Sequence, residues 1–194
     1  MKRFLTLFLT FILFLSLLST ASCGSKHPIE KFYQKIEKSD NNYQISCSLT
    51  EKSTSSRFVI TIQVDGNVQY MPENMDLGID EIYTEYIDDY EISYTKNAKG
   101  EWKKSLDELS EDNAFNFDND DIFNADNYEK IKGEKNSYRQ KKDVIFQNFE
   151  NVIMTIAKDS CTLECQMITD GIVVDAKIVI SKLGEMKLTL PNVN

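Results

Sequence analysis

The sequence predicts a mainly β protein with helices. The expected form is a strongly curved antiparallel sheet or incomplete barrel, covered by an N-terminal helix and a mid-chain helical insertion. Three observations predict it. From Tyr43 onward, apolar and polar residues alternate with a period of two through about nine segments. The segment before them, from Pro28 to near Ser39, carries its apolar residues at helical spacing instead. The period changes again between Ser105 and Lys132, within a stretch rich in Asp and Asn.

Pro28 opens the helix, because its fixed φ suits a first helical position and its missing N–H is not needed there. Ile29, Phe32, Tyr33 and Ile36 then fall at i, i+3, i+4 and i+7, a single apolar stripe that needs a surface to cover. Tyr43, Ile45, Cys47 and Leu49 share one face of a first strand. Phe58, Ile60, Ile62 and Val64 share one face of a second, and Asp65-Gly66 turns it tightly into Asn67–Met71. Ile82–Ile87 and Tyr90–Thr95 are further strands, and Ala98-Lys99-Gly100 turns into Glu101–Lys103. Ser105, with Glu108 three residues on, has the form of a capping box and predicts a short helix holding Leu106 and Leu109. Ile122, Phe123, Tyr128 and Ile131 continue that helical or irregular stretch. Strands resume with Tyr138–Phe146 and Asn151–Ala157. Cys161, Leu163, Cys165 and Met167 line the next, Ile172, Val174, Ala176, Ile178 and Ile180 the one after, and Met186, Leu188 and Leu190 a last one stopped by Pro191. Tight turns at Asp170-Gly171 and Leu183-Gly184 make these three an antiparallel meander.

Ahead of the domain, Lys2 and Arg3 precede an apolar run from Phe4 to Leu18, followed by the small residues Ser19 to Ser22. A charged start, an apolar middle and small residues at a cleavage point define a secretory signal. The run falls short of the roughly 20 apolar residues of a spanning helix. Cys23, after Thr20-Ala21-Ser22 and before Gly24, resembles the lipobox cysteine of bacterial lipoproteins, although Thr20 stands where Leu is usual. That resemblance implies a signal peptide at 1–22, a lipidated Cys23 with a short tether to His27, and one domain over 28–194. It also implies an extracytoplasmic location, anchored to the bacterial cell membrane by two acyl chains, with room for a palmitate-like third on the new amino terminus. The alternative is an ordinary secretory signal cut near Ala21 or Ser22, with Cys23 left as a free thiol.

The net charge is −9, and two units more negative once Lys2 and Arg3 are removed. Such a surface argues against nucleic acid and anionic lipid headgroups as partners. Three cysteines follow Cys23. They read as small buried hydrophobes or as one disulfide joining Cys47 to Cys161 or Cys165. Their spacing fits no structural zinc pattern, and the lone His27 sits at the tether, so neither a metal nor a cofactor is expected.

The order of elements resembles the LolA/LppX-like family of bacterial envelope proteins, including small Gram-positive lipoproteins built on that plan. The likeness rests on Phe32 to Leu49, on Val64-Asp65-Gly66-Asn67, on Tyr94 through Gly100-Glu101-Trp102, and on Gly184 through Leu190-Pro191. The resemblance implies a half-open barrel with a helical lid, often holding lipid or acyl chains. The arginine that serves lipoprotein transfer in the periplasmic carriers has no counterpart in Arg57 or Arg139.

No Gly-x-Ser-x-Gly elbow, phosphate loop or His-Glu-x-x-His segment occurs, and a single histidine cannot supply a multi-histidine site. Asp118, Asp120 and Asp121 lack the Gly and terminal Glu of a calcium loop. Trp102, just after a hairpin glycine, reads as an anchor of its strand pair. No enzyme is expected. The expected function is a cell-surface lipoprotein that binds an apolar ligand, whether lipid, acyl chain or apolar peptide. Phe58, Ile60, Ile62, Leu163, Met167, Val174 and Ile178 would line its pocket or fill its core. The alternative is a lipid-anchored scaffold with a packed interior, engaging an envelope protein partner.

Overall fold

The computed structural model describes residues 27–51, 56–74, 78, 80–88, 90–97, 99–108, 122–146, 149–169 and 172–193. The signal segment and Cys23 lie outside them, as do Asp118, Asp120 and Asp121.

Helix α1 spans Pro28–Lys38. His27, expected in the tether, is its N-cap: Nδ1 accepts from the Ile29 N–H at 3.4 Å, and the ring meets Tyr138 edge-on at 4.6 Å. Burial holds the imidazole pKa below its usual value, against opposing pulls from Glu30 and Asp126. The helix ends at Ser39, whose Oγ donates to the Ile36 carbonyl at 2.7 Å. Asp40 and Asn41 then reverse the chain at φ 53° and 56°, a region that short polar side chains tolerate better than most.

Eleven strands follow: β1 Tyr43–Glu51, β2 Arg57–Asp65, β3 Val68–Met71, β4 Ile82–Ile87, β5 Tyr90–Lys96, β6 Trp102–Glu108, β7 Tyr128–Lys130, β8 Ser137–Gln140, β9 Phe149–Ile156, β10 Cys161–Thr169 and β11 Ile172–Ser181. They form one antiparallel sheet in the order β6-β5-β4-β3-β2-β1-β11-β10-β9-β8-β7. The two outermost strands are β6 and β7, so the sheet is open.

Register builds the core in continuous rows. Ile62, Ile45, Ile180, Cys161 and Ile156 lie directly across from one another, and so do Ile60, Cys47, Ile178, Leu163 and Met154. Each is no more than 8% exposed. Ile29, Phe32 and Ile36 of α1, themselves at 0–2%, belong to the same cluster. Each such side chain contributes roughly 1.5–3 kcal/mol by leaving water.

Strand β9 keeps its core face through a bulge. The register with β10 shifts between Glu164 and Gln166, and Asn151 takes φ 56°. An extra residue in one strand moves every side chain before it to the other face. Phe149 is therefore buried together with Val152, Met154 and Ile156, which strict alternation forbids.

Three elements differ from the sequence expectation, and a fourth lies mostly outside the described residues. Ser105 and Leu106 do not start a helix: they lie in β6, which pairs with β5 along its whole length from Lys96↔Trp102 to Tyr90↔Glu108. A capping signature with two nearby apolar residues, Leu106 and Leu109, does not outweigh a seven-residue ladder. Of the expected mid-chain helical insertion, 109–121 lie outside the described residues; Ile122 is helical, Phe123 lies in a turn, and a 3-10 segment follows at Ala125–Asn127. The strand expected over Tyr138–Phe146 stops at Gln140, whose amide donates to the Val144 carbonyl and accepts from the Val152 N–H. Met186, Leu188 and Leu190 join no ladder.

Side chains hold that last segment instead. Asn42 Nδ2 donates to Asp65 Oδ1 at 2.7 Å and to the Met186 carbonyl at 2.8 Å, while Asn42 Oδ1 accepts from the Met186 N–H at 2.7 Å. Asp65 Oδ2 accepts from the Leu188 N–H at 2.9 Å. Two side chains, one at the α1–β1 junction and one at the end of β2, thus substitute for a strand partner.

Asn42→Ala should destabilise the fold by about 1–3 kcal/mol, and hydrogen exchange should show faster exchange at the Met186 and Leu188 amides first. Asn151→Val should cost about 1–2 kcal/mol by placing a branched residue at positive φ, whereas Asn151→Gly should stay close to the parent in chemical denaturation.

Candidate functional site

The residues named from sequence as ligand-lining or core fall together on the α1 side of the sheet. Ile60, Ile62, Leu163, Met167, Val174 and Ile178 are 1–4% exposed, and Phe58 packs against them partly buried. They touch one another across the rows and form the core.

The three cysteines sit in the same rows as free, buried thiols. Strand β11 runs between β1 and β10. Cys47 is thus two strand spacings from Cys161 and from Cys165, about 10 Å at Cα, whereas a disulfide spans at most about 7 Å. The pairing raised from sequence has no geometry in this fold. Burial pushes the Cys165 thiol up to about 12, with Asp175 adding to it, and raises Cys47 and Cys161 as well. Thiolate is the reactive form, so these are inert packing groups. Among the described residues no group of His, Cys, Asp and Glu is placed to hold a metal.

The wing formed by β3–β6 differs from the centre of the sheet on both faces. Away from α1, Tyr70, Tyr83 and Tyr94 lie in one row, with Trp102 beside them. Tyr70 and Tyr83 are 4.5 Å apart between ring centres, and Trp102 meets Tyr83 edge-on at 5.4 Å. Lys96 Nζ sits 4.7 Å over the Trp102 ring and pairs with Glu81, which also accepts from Tyr70 Oη at 3.1 Å. Burial and Glu81 push the Tyr70 hydroxyl up to about 12. Lys104 lies over Tyr94, whose hydroxyl donates to Glu85 at 3.3 Å. The rings pack on one another and the Tyr70 and Tyr94 hydroxyls have partners, so the strip braces the wing, and Trp102 anchors its outer hairpin.

The other face of the wing turns polar where the core rows run out. Tyr43, Val64, Gln69, Thr84 and Ser93 form one cross-strand row from β1 to β5, and Tyr86, Glu91 and Asp107 form the neighbouring row. Gln69 is 5% exposed and Thr84 3%. Gln69 Oε1 and the hydroxyls of Tyr43 and Tyr86 are buried without a hydrogen-bond partner. Glu91 titrates above the ordinary carboxylate range: burial raises it, the Ser93 hydroxyl at 3.2 Å lowers it, and Asp107 opposite raises it again. Sequence reading recognised these strands but assigned them no faces. The available signal was Thr84, Tyr86, Glu91 and Ser93 at alternate positions, opposite in phase to Tyr83, Ile92 and Tyr94.

No protein-family model matches the chain, and no curated protein does. The ywiB protein from Bacillus subtilis superposes with a TM-score of 0.22 at 8% identity, over 72% of this chain and 89% of that one. At that score the likeness carries no argument about fold or function.

With Cys23 replaced by Ala, alkylating reagents should leave Cys47, Cys161 and Cys165 unmodified in the native protein and label all three in denaturant. Mass spectrometry counts the adducts, and rapid native labelling would show that the rows are open to solvent.

Proposed function

We propose that this chain is a lipid-anchored, non-enzymatic binding scaffold on the outer face of a bacterial cytoplasmic membrane. Its interior is occupied by its own side chains, and it engages its partner through its acidic surface. One observation carries the packed interior: the rows from Ile60 to Met154 and from Ile62 to Ile156 are buried in one cluster with α1. An apolar ligand would need the same surface that Ile29, Phe32 and Ile36 already occupy. The anchor rests on the lipobox-like Thr20-Ala21-Ser22-Cys23. A tethered scaffold works by raising the local concentration of what it binds and needs no chemistry of its own.

A second reading keeps the carrier role implied by the LolA/LppX-like resemblance: the sheet bends into an incomplete barrel around a lipid or apolar peptide. The buried, unpartnered hydroxyls of Tyr43 and Tyr128 within the apolar face favour it, because a ligand would supply what they lack.

Cys23→Ala should move the protein from the membrane fraction to the soluble fraction, and mass spectrometry of the parent should find diacylglycerol on that thiol. Tight membrane association of the variant would overturn the anchor. Solvent extraction of the purified protein should release no stoichiometric lipid beyond that on Cys23; a second, stoichiometric amphiphile would replace the scaffold reading with the carrier.

A further inference from the structure

The chain enters the folded domain at one corner of the sheet. His27 caps α1 and lies edge-on to Tyr138 of β8 at 4.6 Å, only four residues after Cys23. Four residues span at most about 14 Å. A lipid on Cys23 therefore holds the corner made by β7, β8 and the loops beside them close to the bilayer surface. Charge at this corner runs against the rest of the molecule. Residues 128–146 hold six Lys and Arg against three Asp and Glu, in a chain of net charge −9. Residues 80–108, toward the opposite edge at β6, hold four against nine. The net charge argues against anionic headgroups for the surface as a whole, but a membrane meets only the side turned to it.

Lys130 at the end of β7, Lys132 and Lys135 in the β7–β8 turn and Lys142 in the loop after β8 are all exposed. Among the described residues none of the four forms an ion pair. The other two basic groups are used locally: Arg139 pairs with Glu129 at 2.7 Å, and Lys141 Nζ donates to the Asp126 carbonyl at 2.5 Å. Glu134 and Asp143 stand among the lysines without cancelling them. An apolar side chain projects from the same corner. Val144 packs against the core, and Phe146 lies 6.1 Å from Tyr128 between ring centres, so the loop is held on both sides of Ile145. Ile145 itself is 88% exposed, the most of any large apolar side chain among the described residues. Lysines around a projecting aliphatic group suit a headgroup layer, where charge meets phosphate and the apolar group leaves water.

We propose that this corner is the membrane-facing surface of the anchored protein. Lys130, Lys132, Lys135 and Lys142 lie against the phosphates of an anionic phospholipid bilayer, and Ile145 enters its headgroup layer. The orientation rests on the lipid anchor at Cys23 and gives it a direction: the acidic β4–β6 wing, at the other edge of the sheet, is left on the side where a partner is met.

The test is lysine footprinting of the lipidated parent, purified in non-ionic detergent and reconstituted into vesicles. One set is phosphatidylcholine alone, the other phosphatidylcholine and phosphatidylglycerol in equal parts. A water-soluble acetylating reagent is added and mass spectrometry reads the rate at each lysine. Lys130, Lys132, Lys135 and Lys142 should react roughly fivefold more slowly on the anionic vesicles, the factor that one lysine contributes to association with such a surface. Lys99 and Lys103, both exposed on the far wing, should react alike on the two. Lys132→Glu together with Lys142→Glu, at exposed positions that leave folding intact, should return Lys130 and Lys135 to their rates on phosphatidylcholine. Ile145→Asp should do so in part. Equal rates at the four lysines on both vesicles, equal protection of Lys99 and Lys103, or unchanged protection in the charge-reversed variant would each overturn the orientation. Flotation separates this from the anchor. The parent should float with both kinds of vesicle, and its loss from phosphatidylcholine would overturn the anchor and the orientation together.

Discussion

The fold depends on one apolar face being hidden from water. An open sheet exposes two faces and two edges, and among the described residues the stripe of α1 covers the centre of one face. Where the helix and the core lie over the sheet, the buried positions of β1, β2 and β9–β11 on that side are apolar. Beyond them, on β3–β6, Met71 and Ile82 still join the core, but most covered-side positions become polar, with Gln69, Thr84, Ser93 and Glu91, while Tyr70, Tyr83 and Tyr94 lie on the opposite face. The sheet continues as hydrogen-bonded backbone while its hydrophobic side changes over. That change allows a single sheet to have both a dry centre and a polar wing.

Much of the centre was legible in the sequence because burial there is one-sided and period two is then enforced at every residue. The strands around Ile45, Ile62, Leu163 and Ile178 followed directly, as did the helix around Phe32. The departures occur where something other than apolar burial sets the conformation. Strand β6 is held by the ladder with β5 and buries almost nothing, so its residues carry no pattern. The Met186–Leu190 segment alternates as a strand does, but hydrogen bonds from Asn42 and Asp65 position it. The bulge at Asn151 inverts the phase midway through β9, which a periodic reading cannot register.

The candidate site was less legible still. Its residues become neighbours only through register: Gln69 and Glu91 are distant in sequence, and nothing in either segment alone marks a site. The rows proposed as pocket or core came out together, because both roles require the same alternation. Of the two readings of the cysteines, small buried hydrophobes or a Cys47 disulfide, the structure has free, buried thiols. Their possible bridging was a question of strand order, which sequence leaves open. His27 was assigned to the tether because its neighbours are polar and short; its contact with Tyr138 could not be read locally.

The outermost strand of the wing has a further consequence. Strand β6 ends the sheet with seven residues whose outward backbone groups face away from β5, an invitation for another strand to add on. Lys103, Lys104, Asp107 and Glu108 fill that margin with charges of both signs, and Leu106 is its one well-exposed aliphatic side chain. A second copy approaching edge to edge would have to bring these ions together and strip their water. The margin therefore disfavours the edge-to-edge addition of another strand at β6.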